Sequence, residues 1–303
     1  MAYHVPVLAH ECVEQLQLRP EGIYVDVTFG GGGHSRLILE AMATAPGSRL
    51  YGFDQDEDAR ANALPDDRFT FVVANFRHLR NYLRLYGVTQ IDGLLADLGV
   101  SSHQFDQAER GFSFRFDAEL DMRMSQAADR TAADVVNHYS PEDLQAVLGE
   151  YGEVRNARTL ALAIAEAREQ NPIETIQDLL QIMGPLIRGQ RNRYLAQVFQ
   201  ALRIEVNDEM GALRDLLTQT TELLKPGGRL VVMSYHSLED RIVKNFLKTG
   251  NAEGTMVKDE YGNIDRPYKI LTKKPILPSE TEIANNPRAR SAKLRVGERR
   301  QDD

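Results

Sequence analysis

The chain has 303 residues, of which 42% are hydrophobic and 26% are charged, and its formal net charge is −8. A chain of this length and composition can bury a large core in one large or two smaller domains. It contains no apolar run of the roughly 18 residues that a membrane span needs, and its first residues lack the basic start and apolar stretch of a signal peptide. Cys12 is the only cysteine, which excludes an intramolecular disulfide and a cysteine-based zinc site. We therefore expect a cytoplasmic protein without a bound metal.

The acidic net charge hides a basic segment near the C-terminus. Residues 266–300 contain ten Lys or Arg against three Glu, and a shorter basic group, formed by Arg188, Arg191 and Arg193, lies in the middle of the chain. A solvated loop or tail explains any one such run. Two basic patches on an acidic protein favour a polyanionic partner, because the local field attracts phosphates.

The first hundred residues alternate strand and helix patterns. Short β-branched or apolar runs predict strands, and one segment with apolar residues at helical spacing, 34–43, predicts a helix. Strands that alternate with helices of this length predict βαβ units and a parallel sheet. The predicted strands are 22–28, 49–53, 68–73 and 91–96.

Between residues 105 and 206 the sequence gives only helical patterns, which predicts a helical insertion. Ser140 and Pro141 have the character of an N-cap followed by proline at the first helical position. The predicted helices of this block are 132–138, 141–149, 156–170, 175–183 and 194–206. After it we predict a helix at 208–224, a break at 225–228, a strand at 229–233, a helix at 240–248, and β-like pieces at 256–258, 268–273 and 292–297.

A glycine-rich loop follows the first predicted strand. Gly30 to Gly33 allow a tight strand-to-helix turn and a close approach of the backbone to a nucleotide-type cofactor. Alone, such a loop is a weak signal, since a plain tight turn has the same composition. A dinucleotide fingerprint requires glycine where the chain has Ser35, so NAD fits poorly. The spacing from Asp26 to Gly30 and Gly32 instead resembles the first motif of class I methyltransferases.

Acidic and aromatic residues follow the next strands. Asp54 ends the second strand, where a carboxylate can accept both ribose hydroxyls; the alternative is that it caps the following helix. Phe76 follows the third strand, where an aromatic ring can flank an adenine, although a core position would explain it equally well.

Asp97 ends the fourth strand, at the edge where open α/β sheets bind ligands. A cytosine amine is a poor nucleophile and needs an oxygen acceptor that orients its hydrogens and receives a proton, which a carboxylate provides. Asp97 could instead anchor its loop.

Tyr235 and His236 follow the fifth strand and are candidates for contacts to a base flipped out of its stack. A structural histidine, and a helix that starts with Ser237 and Asp240, are the competing interpretation.

Seven segments, taken together, resemble the bacterial 16S rRNA cytosine-N4 methyltransferase family, from residue 4 to about residue 299. The Pro-Pro-aromatic signature of typical amino-methylating enzymes is absent after Asp97, so the aromatic that stacks on the base stays open. The segments are residues 28–35, 97–102, 109–114, 120–124, 199–209, 234–241 and 286–295.

The resemblance implies a class I, Rossmann-like α/β sheet that binds S-adenosylmethionine, with an inserted all-helical domain. The methyltransferase domain would comprise residues 1–104 and 207–303, and residues 105–206 would recognise the substrate. The implied activity is transfer of a methyl group to the N4 amine of a cytidine in the decoding region of 16S rRNA, within the small ribosomal subunit. The implied cofactor-binding residues are Gly32, Gly33, His34, Asp54, Phe76, Asp97 and Gln104.

Arg288, Arg290, Lys293 and Arg295 lie within eight residues, and we predict that they contact RNA. Ion pairs with acidic residues of the sheet domain are the alternative.

Two other functions remain open: the same fold and cofactor acting on DNA or another acceptor, and a non-catalytic ribosome-assembly factor. The sequence also leaves open whether the chain forms a homodimer.

Overall fold

The computed structural model describes residues 6–258, 262 and 266–301, except for the side chain of Ser102. Within these residues the chain divides into two units, which correspond to Met1–Gly99 with Met210–Asp303 and to Val100–Glu209. None of the helices described is long and apolar enough to cross a membrane.

The first unit contains a sheet of seven strands in the described part of the chain, in the order β3-β2-β1-β4-β5-β7-β6. Strands β1 to β5 are parallel, whereas β7 runs antiparallel to both β5 and β6. This is the sheet of class I S-adenosylmethionine-dependent methyltransferases, which confirms the predicted Rossmann-like α/β fold. The strands are β1 (Ile23–Asp26), β2 (Arg49–Asp54), β3 (Phe69–Val73), β4 (Ile91–Asp97), β5 (Leu224–Ser234), β6 (Tyr268–Ile270) and β7 (Lys293–Arg299).

Strand register brings three carboxylates to one edge of the sheet. Asp26 is aligned with Gly52 of β2, Asp54 with Val73 of β3, and Asp97 with Met233 of β5. Parallel strands end at the same edge, which is where ligands of open α/β sheets bind. The central strands are buried on both faces, as parallel sheets require, so the apolar runs that predicted them are core residues.

The helices of this unit cover the sheet. A hydrophobic cluster joins residues from the N-terminal helix, the central strands and β7, including Leu8, Cys12, Leu95 and Val296. The helices are α1 (Ala9–Leu16), α2 (Gly33–Ala41), α3 (Leu79–Leu85), α10 (Glu209–Leu223), α11 (Ser237–Thr249) and α12 (Glu280–Asn285).

The second unit is helical and has its own core. Side-chain caps begin several helices: Thr131, Ser140 and Thr175 each accept the N–H of the third helical residue. The prediction of an N-cap at Ser140 with Pro141 at the first helical position is confirmed. The five helices predicted between residues 132 and 206 all form, and no end differs from its predicted position by more than three residues. The helices are α4 (Ser102–Asp106), α5 (Ala132–His138), α6 (Pro141–Glu150), α7 (Ala157–Gln170), α8 (Ile176–Met183) and α9 (Arg191–Asn207).

Some element predictions were wrong. The break predicted at 225–228 is part of β5, which begins at Leu224 and pairs with β4 through a register shift between Ile91 and Gly93. In the β-like piece predicted at 256–258, Met256 and Val257 form no strand and Lys258 is in a single β-bridge. Helix α11 begins with His236 as its N-cap, and Ser237 is its first residue.

Candidate active site

The glycine loop between β1 and α2 has backbone angles that favour glycine. Gly30 and Gly32 have φ angles of 50° and 72°, which L side chains adopt only with strain. A Cβ on Gly31 would meet no atom within 4 Å, so its backbone borders open space. Gly32 is the N-cap of α2 and offers no side chain to cap it. An uncapped helix start of this kind favours a negatively charged ligand group.

Asp26 holds the loop in this shape. Its Oδ2 accepts a hydrogen bond from the Ser35 hydroxyl at 2.7 Å, and its Oδ1 accepts one from the Thr28 N–H at 3.1 Å. The carboxylate is buried, and burial raises its pKa. The sequence analysis gave Asp26 no role of its own, and the Asp26–Ser35 bond shows why serine suits position 35.

Asp54 lies at the end of β2, beside the glycine loop. Its Oδ2 accepts the N–H of Gly30 at 2.7 Å, and its Oδ1 accepts that of Asp56 at 2.9 Å. Burial raises its pKa to about 6, although the two bonds oppose this. Each carboxylate oxygen can accept a second hydrogen bond, so the group retains capacity for a diol. The expected helix cap is absent at Asp54; Asp56 caps the next turn by accepting the Asp58 N–H.

Phe76 follows β3 in a short 3₁₀ turn and is half-buried. Asn75 fixes the turn, because its Oδ1 accepts the Arg77 N–H at 2.9 Å and its Nδ2 donates to Gln55 at 2.7 Å. The ring is thereby positioned after β3, one strand away from Asp54 in the sheet order.

Three side chains meet at the end of β4. The Tyr235 hydroxyl donates a hydrogen bond to Asp97 Oδ1 at 2.8 Å, and His34 Nδ1 lies 3.6 Å from Asp97 Oδ2. The Asp97 N–H donates to Thr28 Oγ1 at 2.6 Å, which ties β4 to the glycine loop. Burial raises the pKa of Asp97 to about 6, and the charge of His34 and the Tyr235 bond oppose the shift. Burial and the Asp97 charge raise the pKa of Tyr235.

These contacts change the expected roles of two residues. The Tyr235 hydroxyl is engaged with Asp97, so its first role is to bind the carboxylate. His236 begins α11: its Nδ1 accepts the Glu239 N–H at 3.5 Å, and its Nε2 lies 3.1 Å from Glu239 Oε1. Both ring nitrogens face the first turn of its own helix, and contact of the His236 ring with a base stays a prediction.

Gln104 belongs to the helical unit, where it is buried. Its Oε1 accepts the Ser101 N–H at 3.1 Å, and its own N–H donates to Ser101 Oγ at 3.2 Å. This reciprocal pair is a capping box at the start of α4. Gln104 thus caps α4, and its contact with the cofactor stays a prediction.

The C-terminal basic residues divide into two groups. Arg288 and Arg290 are exposed in a 3₁₀ turn. Arg295 is buried on β7, and its Nε and Nη2 donate to the two oxygens of Asp240 at 2.7 and 3.3 Å. Lys293 Nζ lies 3.5 Å from the same carboxylate. The alternative of internal ion pairs thus holds for Arg295 and Lys293, and the prediction that Arg295 contacts RNA is corrected.

Comparisons with known proteins show the family of this chain. A profile of the MraW methylase family matches residues 1–300. The protein "Ribosomal RNA small subunit methyltransferase H" of Parabacteroides distasonis is 56% identical over 299 residues, 98% of this chain and 97% of the relative. Its namesake from Flavobacterium johnsoniae is 55% identical over 300 residues, 99% of this chain and 98% of the relative. A solved rRNA methylase from Streptococcus thermophilus aligns over 99% of both chains, with 13% identity and a TM-score of 0.41. The profile and the close relatives establish that this chain belongs to the MraW methylase family.

Proposed function

We propose that this protein transfers a methyl group from S-adenosylmethionine to the exocyclic N4 amine of a cytidine in the decoding region of 16S rRNA. The observation that carries the proposal is the Asp97 carboxylate, which ends β4 beside the glycine loop and is held by the Tyr235 hydroxyl. A fixed carboxylate can accept a hydrogen bond from the amine and then its proton. The close relatives, named as methyltransferases of small-subunit ribosomal RNA, supply the substrate class.

The residues around the loop fit the cofactor, which supplies an electrophilic methyl group on a sulfonium. The open space beside Gly31 accepts a ligand against the backbone, and Gly32, Gly33 and the uncapped start of α2 suit a carboxylate. Asp54 would bind the ribose hydroxyls with its remaining lone pairs, and Phe76 would flank the adenine.

The chemistry of the single cysteine favours the amine over the neighbouring ring carbon. Methylation at C5 of cytosine requires a nucleophile, normally a thiolate, that first adds to C6 of the ring. Cys12 is the only cysteine of the chain, it is 0% exposed, and burial raises its pKa well above the ordinary value. A buried thiol with a raised pKa is inert, whereas methylation of the amine needs only a proton acceptor such as Asp97.

Exposed arginines in each unit suit a ribosomal RNA partner. Arg288 and Arg290 lie in the sheet unit, and Arg188, Arg191 and Arg193 lie at or just before the start of α9 in the helical unit. Cations at a helix N-terminus cost about 0.3–1 kcal/mol each, because they oppose the helix dipole. Phosphate groups would offset this cost, so we assign substrate recognition to the helical unit, the insertion predicted at 105–206.

The decisive experiment is methyl transfer to 30S particles purified from cells that lack this activity. Naked 16S rRNA and double-stranded DNA serve as parallel substrates, and nucleosides are identified by mass spectrometry after digestion. N4-methylcytidine formed on RNA supports the proposal, and it would make this a cytoplasmic enzyme of ribosome maturation. 5-Methylcytidine, or transfer only to DNA, would refute it.

The alternative of a non-catalytic assembly factor predicts binding without transfer. Under that hypothesis the protein binds 30S particles with and without Asp97, and no labelled methyl group enters the RNA. An Asp97→Asn variant that binds RNA normally but fails to transfer the methyl group separates the two functions.

A further inference from the structure

The protonation of His34 follows from the atoms that surround its ring. Nε2 lies 3.0 Å from the Val7 carbonyl oxygen, and a carbonyl oxygen only accepts. Nε2 therefore carries the hydrogen, and in the neutral ring the lone pair is on Nδ1. That atom faces Asp97 Oδ2 at 3.6 Å. The ring is buried, so water does not compete strongly at this contact.

An unprotonated Nδ1 and an ionised carboxylate repel each other, because both atoms are acceptors. One proton on the pair turns this repulsion into attraction. Among the residues that the structure describes, two acidic groups, Asp26 and Glu239, also raise the pKa of Asp97, as do the buried surroundings. The hydroxyl of Tyr235 already donates to the other carboxylate oxygen. His34 is thus the basic partner of Asp97 in this cluster, which also includes the buried thiol of Cys12.

We propose that His34 is a positioning residue whose unprotonated Nδ1 receives, through Asp97, the proton that the substrate amine loses. The proposal deepens the function proposed above and rests on it. The amine nitrogen forms a bond to the methyl carbon while the carbon–sulfur bond breaks, and that electron pair stays on sulfur. The Asp97 carboxylate takes a proton from the methylated nitrogen and passes it to His34 Nδ1. The resulting imidazolium lies beside a restored carboxylate and releases its proton to water after the product leaves.

The hydrogen bond from Tyr235 and the positive charge that His34 carries once it is protonated both favour the ionised form of Asp97. Burial raises the pKa of Asp97, and His34 and Tyr235 limit the rise to a value of about 6. Substitution of His34 or Tyr235 removes an interaction that lowers the pKa of Asp97, so this pKa must rise further. If it rises to about 8, the ionised fraction at pH 7 falls about tenfold, and so does turnover that depends on this base.

The test compares His34→Gln and Tyr235→Phe with wild type and with Glu40→Gln, a control at an exposed position of α2. Glutamine can still donate to the Val7 carbonyl but has no titrating atom opposite Asp97. In the free protein, ¹⁵N spectra should show the hydrogen of the neutral His34 ring on Nε2. ¹³C titration of the Asp97 carboxyl should give a midpoint near pH 6 in wild type and control, raised by one unit or more in both variants.

The pH profile of kcat supplies the second readout. We expect its acidic limb to move to higher pH with the Asp97 titration, so that both variants recover activity in alkaline buffer. A His34→Gln variant with the wild-type Asp97 titration and an unmoved acidic limb would overturn the proposal, even if its activity were low. A neutral ring with its hydrogen on Nδ1 would also overturn it. The titrations need no substrate, so they distinguish this failure from absence of methyl transfer by wild type, which would refute the proposed function.

Discussion

The raised pKa of Asp97 predicts that the active carboxylate lowers the stability of the free protein. Asp97→Asn keeps the shape of the side chain: its amide oxygen can accept from Tyr235, and its amide nitrogen can donate to His34 Nδ1. The variant removes the cost of burying a charge. A rise in pKa from 3.8 to about 6 corresponds to about 3 kcal/mol at most, and since the side chain is 23% exposed we expect a gain of about 1–3 kcal/mol at pH 8.

The raised pKa of Asp97 also determines how the stability difference between Asp97→Asn and wild type changes with pH. The folded protein binds this proton more tightly than the unfolded chain does, so the wild-type carboxyl costs nothing below about pH 4 and its full amount above pH 6. The variant should therefore gain stability as the pH rises through this window. Asp66→Asn is a control for which we expect a loss of stability instead of a gain, because Arg68 lowers the pKa of Asp66 to about 2. That exposed pair is worth at most about 1 kcal/mol, and its loss should destabilise the protein at neutral pH.

Urea unfolding at a series of pH values between 4 and 8.5 measures both effects, with methyl transfer followed in parallel. We expect Asp97→Asn to combine higher stability at pH 8 with a fall in turnover of about 10²-fold. A gain that does not change with pH, or a loss of stability at pH 8, would refute the reasoning about the buried charge. Normal turnover would reduce Asp97 to a binding residue.

Three further substitutions test the other assignments. Asp54→Ala should weaken S-adenosylmethionine binding by roughly 1–3 kcal/mol in calorimetry, and unchanged affinity in a folded variant contradicts the ribose role. Arg295→Met should lower the free energy of unfolding by about 1–3 kcal/mol, because Asp240 loses two hydrogen bonds and keeps only Lys293 as a cationic partner; a wild-type urea midpoint contradicts this. Arg288→Gln with Arg290→Gln should flatten the salt dependence of RNA binding by about one log–log unit per lost phosphate contact, whereas an unchanged slope excludes contact.

Much of the sheet could be predicted because its signals are local. Strands β1 to β4 are short apolar runs, of which β1, β2 and β4 end at an aspartate, and the structure has all four within a few residues of the predicted limits. The start of β5 was missed because Pro226 and Gly227 are typical of a break; the register shift opposite β4 accommodates them. Helix α1 was missed because it starts at Leu8, which has a left-handed conformation and no capping side chain.

The site was less accessible to sequence reasoning because its contacts are not local. Asp97 and Tyr235 are 138 residues apart, and no pattern in either segment indicates that the hydroxyl reaches the carboxylate. The same holds for Arg295, which charge counting assigned to RNA; it lies on β7 and binds Asp240 of helix α11, 55 residues away. Residue types at the strand ends predicted which edge of the sheet carries the candidate active site. Which charged and polar side chains pair with one another there is visible only in the structure.

The division of the chain has a consequence for its synthesis on the ribosome. The helical unit is one continuous stretch, Val100–Glu209, with a hydrophobic core of its own, so it can fold as soon as that stretch has emerged. The sheet unit cannot, because its core unites residues near Leu8 with others near Val296, and β5 lacks its antiparallel neighbour until β7 has been made. Domains generally fold as units during translation. The helical unit should therefore fold before the sheet unit does. The apolar faces of the first strands should stay exposed until β7 has been synthesised.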